Sequence, residues 1–549
     1  MTTTVMSDVI DDAADDVADH REPDDRPAPR ARPKTAAVLA VAVLVPLLLF
    51  GVRALRAPVG FDGAMNLQVA ERLAAGDGYT RHYGDVDQFP HEVQTNGPFL
   101  TVAALGIAAL GHGQLGYDFA NLAFVAGFAL AVALLLRDHR RLQVVGPALV
   151  LVGAPSIASY ALGGMGEVPT TFFLFLAVLA IAAALRSLEH APRWVFGASV
   201  AFGAALVTKT FAIGAAGAMA LGVAAVLVAT PTARRRGRIA LATAGVVVVP
   251  AMWELYKLVS LGSFGAYRAW WSVERANTSA QSGLEDTDAG LYGTFDDHLR
   301  ELSRQVHFPS GLLLIVLFLP VAWVAARVVA QWRREGLGHT ARDPHMVVLL
   351  MLAGLAASYI LWWLFVLPES KLWVRRMLPG LFALHVLYLF MVPWLVGAVR
   401  TAWRGRRPTL GAAAALGVAA VVLVVLPYSW DRIDGGTRSL VDGQQAWLQA
   451  DRDAAAHIRA HDDQRYYGDD WWSAPTVSLM ARTDFRDLSL TDPCSLDPAR
   501  DRVVWDFDAR AVTRSGPSTH GGTLTFTQVA AFDGYVWIYA VGPSPGTCG

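Results

Sequence analysis

Again and again this sequence presents about twenty consecutive residues with scarcely a charge, and that pattern leaves few possible folds. A helix rising about 1.5 Å per residue needs roughly 20 apolar residues to cross the hydrocarbon core of a bilayer. Inside that core the backbone finds no water, so each segment must satisfy its own N–H and C=O groups as a helix. Such segments lie near 36–55, 116–136, 143–162, 168–186, 194–211, 213–230, 239–259, 309–331, 345–367, 378–399 and 409–427, which predicts about eleven spans. The 549 residues are 54% hydrophobic and 17% charged, where a soluble domain carries about a quarter charged residues. A formal net charge of −1 supplies no field to draw nucleic acid, so no such partner is expected.

Residues 97–111 (GPFLTVAALGIAALG) are apolar but short, which predicts an interfacial or re-entrant helix. With that segment kept out of the membrane, the basic loops RDHRR (137–141), Arg186 with Arg193, RRRGR (234–238), Arg333 with Arg334, and RGRR (404–407) share one side. It is also the side of the basic end of the N-terminal tail, and positive residues mark the cytoplasm. The expected protein is a multi-pass plasma-membrane protein with a cytoplasmic N-terminus and an extracytoplasmic C-terminus. Residues 1–35 lack the features of a signal peptide and read as a disordered cytoplasmic tail. Residues 36–427 are then the membrane part, with outward loops at 56–115 and 260–308, and 428–549 form an outer α/β domain.

That last region combines a helical pattern at 444–461 with strand-like runs at 502–507, 523–532 and 535–541. It also holds both cysteines, Cys494 and Cys548. Two cysteines in one outward polar segment suit a single disulfide; unpaired surface thiols are the alternative.

Ionisable residues at the outward ends of spans are the candidates for chemistry. Asp62 follows the first span closely and precedes a helical pattern over 64–75 that Gly76 and Gly78 end, a helix expected to lie on the membrane surface. Its carboxylate suits either a helix N-cap or a general base. Glu167 is the only charge in the tight turn ALGGMGEVPTTFF (161–173), where Gly163, Gly164 and Gly166 permit close backbone approach. Lys209 can snorkel to the interface, or pair with a phosphate or a carboxylate. Lys371, Arg375 and Arg376 form a cationic cluster on the outward side, against the trend of the other loops. A phosphate would explain them, as would lipid headgroups. Trp270 and Trp271 fit an interfacial belt or a sugar-stacking surface. With His91 and Glu92 they are the expected substrate contacts. Asp296, Asp297 and His298, with His307, offer hard and imidazole ligands for a divalent metal or simply a solvated helix face.

These features arrive in a recognisable order. FDGAMNLQVAERLAAGDGYT (61–80) and TNGPFLTVAALGIAALGHG (95–113) resemble the first loop of GT-C integral-membrane glycosyltransferases, in their protein-mannosyltransferase and aminoarabinose-transferase branches. GEVPTTFFL (166–174), GAALVTKTF (203–211) and RRMLPGLFAL (375–384) resemble later parts of the same proteins, over roughly 36–427. The segment 466–488 looks like the soluble tail of bacterial members. One departure is Gly63, where many relatives carry a second acidic residue, and it leaves metal use open.

The resemblance implies a GT-C bundle that moves a sugar, with inversion, from a polyprenyl-phosphate donor to a glycan, lipid or protein acceptor of the cell envelope. Asp62 would be the base and Glu167 would position the acceptor or share that role. Lys209, Lys371, Arg375 and Arg376 would hold the donor phosphate. Two other readings stand beside it: a lipid or glycan transporter, and a non-catalytic envelope assembly protein. A transporter puts charges near the midplane, whereas here they gather at the rim. Convergence of Asp62, Glu167 and Arg375 on one place would argue against a mere scaffold.

Overall fold

The computed structural model describes residues 33–54, 59–82, 88–91, 93, 95–153, 164–282, 290–306, 309–367, 374–404, 410–420, 422, 438–468, 473–488, 491–506, 524–546 and 548. Glu92, Gly163, His307 and Lys371 lie outside these, as do residues 1–32 of the tail.

Helix α1 (Pro33–Ala54) leads to α2 (Phe61–Ala75), α3 (Pro98–Leu110), α4 (Gln114–Leu135) and α5 (Arg140–Gly153). Next come α6 (Glu167–Arg186) and α7 (Ala191–Thr208), then a 3-10 turn (Thr210–Ala215) running into α8 (Ala216–Ala229). A second 3-10 turn joins α9 (Ala233–Ala242) to α10 (Val248–Ser260). The segment 260–308, expected to be an outward loop, contains two helices, α11 (Phe264–Ser282) and α12 (Gly290–Val306). The membrane part continues with α13 (Ser310–Glu335), α14 (Leu337–Arg342), α15 (Pro344–Phe365), a 3-10 turn (Val374–Met377), α16 (Leu378–Arg404) and α17 (Leu410–Ala420).

Among the described residues, eight helical stretches are long and apolar enough to cross a membrane. They are Gln114–Leu135, Glu167–Arg186, Ala191–Thr208, Thr210–Ala229, Ala233–Ser260, Ser310–Glu335, Pro344–Phe365 and Val374–Thr401, so this is a multi-pass membrane protein. The other three expected spans fall on α1, α5 and α17; the last two have 14 and 11 residues. Helix α3 has 13 residues, about 20 Å, and falls short of the roughly 30 Å core as the sequence suggested.

In lipid, helices are held by close packing rather than by hydrophobic expulsion, and small residues permit it. A Cβ on Gly222 would stand 2.6 Å from Met351 Sδ, and one on Gly127 2.8 Å from the Phe172 ring. The outward-facing side of the bundle stays apolar, with Leu241, Met252 and Val259 exposed along α9 and α10. Following the helices in order puts Arg137, Arg186, Arg193, Arg234, Arg333 and Arg404 at one end of the bundle. Glu167, Lys209 and Arg375 are at the other.

The C-terminal region contains α18 (Arg438–Ala460), β1 (Arg465–Gly468), α19 (Ser473–Ala481), β2 (Phe485–Asp487), β3 (Asp501–Trp505), β4 (Leu524–Phe532) and β5 (Val536–Pro543). Its sheet has the order β2-β1-β3-β5-β4. β1 runs parallel to β2 and β3, and β5 antiparallel to β3 and β4. Both sheet faces are covered. Tyr466 packs with Ala454, Ile458 and Val477 from the helices, while its neighbour Tyr467 packs on the opposite face with Leu488, Val503 and Tyr539. Cys494 and Cys548 are joined by a disulfide.

This region sits on α2, which changes the reading of that helix. Instead of lying on a membrane surface, α2 is enclosed between α3 and α19. Its apolar residues Met65, Leu67 and Val69 are buried, and so are the polar Asn66, Gln68 and Glu71. Gln68 Nε2 donates to the Pro475 carbonyl at 2.8 Å, and Leu479 of α19 joins the same apolar cluster as Met65 and Phe99.

Candidate active site

Asp62 does not cap its helix. Helix α2 begins at Phe61 with Gly60 in the capping position, and no side chain caps it. The Asp62 carboxylate instead accepts a hydrogen bond from Arg375 Nη1 at 2.7 Å, the two side chains being 14% and 12% exposed. Arg375 stands in the 3-10 turn that opens α16, 313 residues further on. Its Nη1 is also 4.0 Å from Met165 Sδ, two residues before Glu167.

Glu167 is the first residue of α6, after Gly166. Its Oε1 accepts from Lys209 Nζ at 3.0 Å, and both side chains are buried. Lys209 therefore does not snorkel. It ends α7 with φ −149° and ψ 129°, where the helix gives way to the following 3-10 turn. Glu167 Oε2 is buried without a hydrogen-bond partner among the described residues. Arg376 completes the group, within electrostatic reach of Arg375, Glu167 and Asp62. Two carboxylates and three cations from four separate segments thus meet at one end of the bundle.

Close backbone approach makes this possible. Gly164 adopts φ +75°, and a Cβ there would stand 2.8 Å from the Gly63 carbonyl oxygen, the residue beside Asp62. Asn66 Nδ2 donates to the Gly164 carbonyl at 2.8 Å, and Asn121 Nδ2 to the Met165 carbonyl at 3.1 Å. The first loop is pinned to α7 in the same way: Asn96 N donates to the Thr208 carbonyl at 3.1 Å. At Gly97, φ +56°, a Cβ would strike Val207. The sequence reading did not single out Asn66, Asn96 or Asn121. For Asn66 and Asn121 the signal available was an asparagine between apolar neighbours.

The expected aromatic contacts are arranged differently. Trp270 Nε1 donates to the Phe89 carbonyl at 2.6 Å. Its ring is stacked with His91 at 4.9 Å, and Lys257 Nζ lies 4.1 Å from its centroid. His91 Nδ1 is 3.1 Å from Glu274 Oε2. Trp271 Nε1 donates to Glu254 Oε2 at 3.1 Å, and Lys257 Nζ is 2.8 Å from Glu254 Oε1. The ring surface on which a sugar would stack is occupied by the protein's own groups, in a clamp that ties the first loop to α11.

The Asp-Asp-His run divides across its helix. Asp296 is exposed and pairs with Arg300. His298 is fully buried, its Nδ1 2.7 Å from the Thr294 carbonyl and its ring edge-on to Trp363. Among the described residues no group of three His, Cys, Asp or Glu is placed to hold a metal ion.

A second charged network, unforeseen from the sequence, fastens the C-terminal region to α2. Buried Glu71 accepts from Tyr117 Oη at 2.6 Å and stands 2.6 Å from His82 Nε2 and 2.7 Å from His112 Nδ1. His82 Nδ1 is 3.1 Å from Asp484 Oδ1, Arg72 also pairs with Asp484, and Phe485 N donates to the His82 carbonyl at 2.6 Å. Burial pushes the Glu71 carboxyl up, but the hydrogen bonds from His82, Tyr117 and His112 outweigh it and hold the group below its usual value. Burial likewise pushes His82 down, and its bonds to Asp484 and Glu71 overcome this and raise it. His82 thus stands between two carboxylates, which favour its protonated form.

No family model matches the sequence, and no curated protein sequence matches it. Solved structures do share its fold. The crystal structure of ArnT from Cupriavidus metallidurans bound to undecaprenyl phosphate superposes with a TM-score of 0.55 at 14% identity, over 95% of this chain and 100% of that one. The apo form of the same protein gives 0.55 at 16% identity, over 94% and 99%. The arabinosyltransferase EmbB from Mycobacterium smegmatis aligns with a TM-score of 0.36, over 75% of this chain and 42% of that one. The chain has the GT-C fold of integral-membrane glycosyltransferases, with a C-terminal sheet domain.

Proposed function

We propose that this protein is a membrane glycosyltransferase that transfers a sugar from a polyprenyl-phosphate donor to an acceptor of the cell envelope, inverting the anomeric carbon. The observation that carries the reading is the meeting of Asp62, Glu167, Lys209 and Arg375 at one end of the bundle. A transporter would need its charges along a path through the membrane; a scaffold would not need them together. The fold shared with a protein crystallised with undecaprenyl phosphate supports a lipid-phosphate donor. The basic loops at the opposite end support an N-in, C-out orientation that turns this cluster outward.

In the proposed reaction the donor phosphate takes the place of Asp62 as the anion held by Arg375. Arg376 and Lys209 add to the positive field. Displaced from its ion pair, the Asp62 carboxylate accepts the proton of the acceptor hydroxyl. That oxygen forms a bond to the anomeric carbon as the bond from carbon to phosphate oxygen breaks, and polyprenyl phosphate leaves. Cations already fixed around the departing charge supply much of the rate enhancement. The second oxygen of Glu167, without a partner among the described residues, is available to a hydroxyl of acceptor or sugar.

The test is sugar transfer by the purified full chain in vesicles, offered a panel of polyprenyl-phosphate sugars. Asp62→Asn should lower the rate by about 10²–10⁴-fold while donor binding persists. Transfer at the wild-type rate by a folded Asp62→Asn protein would remove Asp62 from the base role. Failure of every donor in the panel would argue against the transferase reading.

A further inference from the structure

A cavity of about 270 Å³ lies between the membrane part and the C-terminal region, and neither Asp62 nor Glu167 lines it. Arg452 and Arg459 of α18 and Arg482, just past α19, line one side; His112, Gln114 and Tyr117 line the other. No carboxylate is among its lining residues. Glu71, behind His112 and Tyr117, is already committed to three hydrogen bonds. Asp453, beside Arg452, accepts from Gln449. Among the described residues no ion pair neutralises Arg452, Arg459 or Arg482.

The three guanidinium groups are exposed, and Arg459 Nη1 also donates to the Met480 carbonyl at 2.6 Å; together around one hollow they set up a positive field that draws an anion, and their planar forks match the oxygens of phosphate. The volume is below that of a pocket for a drug-sized molecule, so it suits a compact headgroup rather than an oligosaccharide. Gln114 and Tyr117 belong to the first turn of a spanning helix, and Val59, another lining residue, is a few positions past the end of α1. The cavity therefore stands at the level where a bilayer presents its phosphates. Arg482 follows α19 with φ +57°, left-handed backbone that ordinarily favours glycine. The conformation belongs to the end of the helix, where Arg482 N donates to the Leu479 carbonyl and Thr483 N to the Ser478 carbonyl, and it turns the chain so that Arg482 lines the cavity.

We propose that this cavity binds the phosphate of a monoester or diester at the membrane surface and so joins the C-terminal region to the bundle. The phosphate belongs either to a lipid headgroup or to a soluble phosphate ester. The experiment uses the full chain and the double variant Arg452→Gln/Arg482→Gly. In phosphatidylcholine nanodiscs, binding of glycerol 1-phosphate is measured by calorimetry. In nanodiscs with phosphatidylglycerol added, lipid kept through washing in detergent is quantified by mass spectrometry. Binding in the first arm identifies a soluble ester; selective retention of phosphatidylglycerol identifies a headgroup. In whichever arm responds, the double variant should bind about a hundredfold more weakly, near tenfold per arginine, and binding should weaken with added salt. Its melting temperature should be unchanged or higher, since glycine suits the backbone at 482, so a folding defect cannot imitate the result. No binding in either arm, or undiminished binding by the variant, overturns the proposal.

Discussion

Replacing Lys209 by methionine tests the charge pairing that assembles the candidate site. Lys209 Nζ is 3.0 Å from Glu167 Oε1, and the side chains are only 8% and 2% exposed. At an effective dielectric constant of ~20, unit charges at that separation attract by about 5–6 kcal/mol. Most of that attraction offsets the desolvation of the two ions, so the intact pair adds little net stability. Deleting one member has a different consequence, because Glu167 stays buried without its direct partner, with only Arg375 and Arg376 left to offset it; the cost is at most about 3–5 kcal/mol. Lys209→Met should be destabilised by up to that amount, and adding Glu167→Gln should restore much of the loss. The coupling expected from a double-mutant cycle is about 2–4 kcal/mol, or roughly 30- to several-hundred-fold in the unfolding constant. The assay is reversible unfolding of the full chain in mixed micelles of mild detergent and SDS, followed by tryptophan fluorescence. If the two single effects add to the double effect within about 0.5 kcal/mol, Lys209 and Glu167 are not coupled and their charge pairing does not assemble the site.

Two further predictions concern how the loop and the outer region are held. Glu71, lowered from its usual 4.5, adds stability that is present above that value and lost as pH falls through its lower folded value. His82, raised from 6.5, adds stability that is present below that value and lost as pH rises through its higher folded value. Hydrogen-exchange protection of residues 473–488 should therefore peak between about pH 4.5 and 6.5 and fall on the alkaline side. His82→Ala should abolish that alkaline fall, and an unaltered one would exclude His82. Gly164→Ala should cost about 1–3 kcal/mol, because alanine meets both the positive φ and the Gly63 carbonyl. Sugar transfer should drop at least ~10-fold with helix content retained, since the contact aligns Asp62 with Glu167; normal transfer would show that the approach is not needed.

Much of the architecture was legible from residue order alone, because the bilayer imposes a length and a composition on every span. The eight long apolar helices, the short helix at Pro98–Leu110 and strands β3 to β5 all lie where pattern put them. The sequence also marked Asp62, Glu167, Lys209 and Arg375, since a charge at the end of an apolar run stands out. Sequence could not pair them. Spacing alone leaves Asp62 as either a helix cap or a base, and only the structure shows that Arg375, 313 residues away, holds its carboxylate. Local spacing likewise left Trp270 open between an interfacial belt and a sugar-stacking surface, and could not show Lys257 and His91 on its ring. Strands β1 and β2, of four and three residues, are too short for a repeating pattern to emerge. The network of Glu71, His82 and Asp484 was invisible for the same reason as the ion pairs. Hydrophobic periodicity is a property of neighbours along the chain, whereas the partner of a buried charge is chosen by whichever distant segments the packed bundle brings within 3 Å.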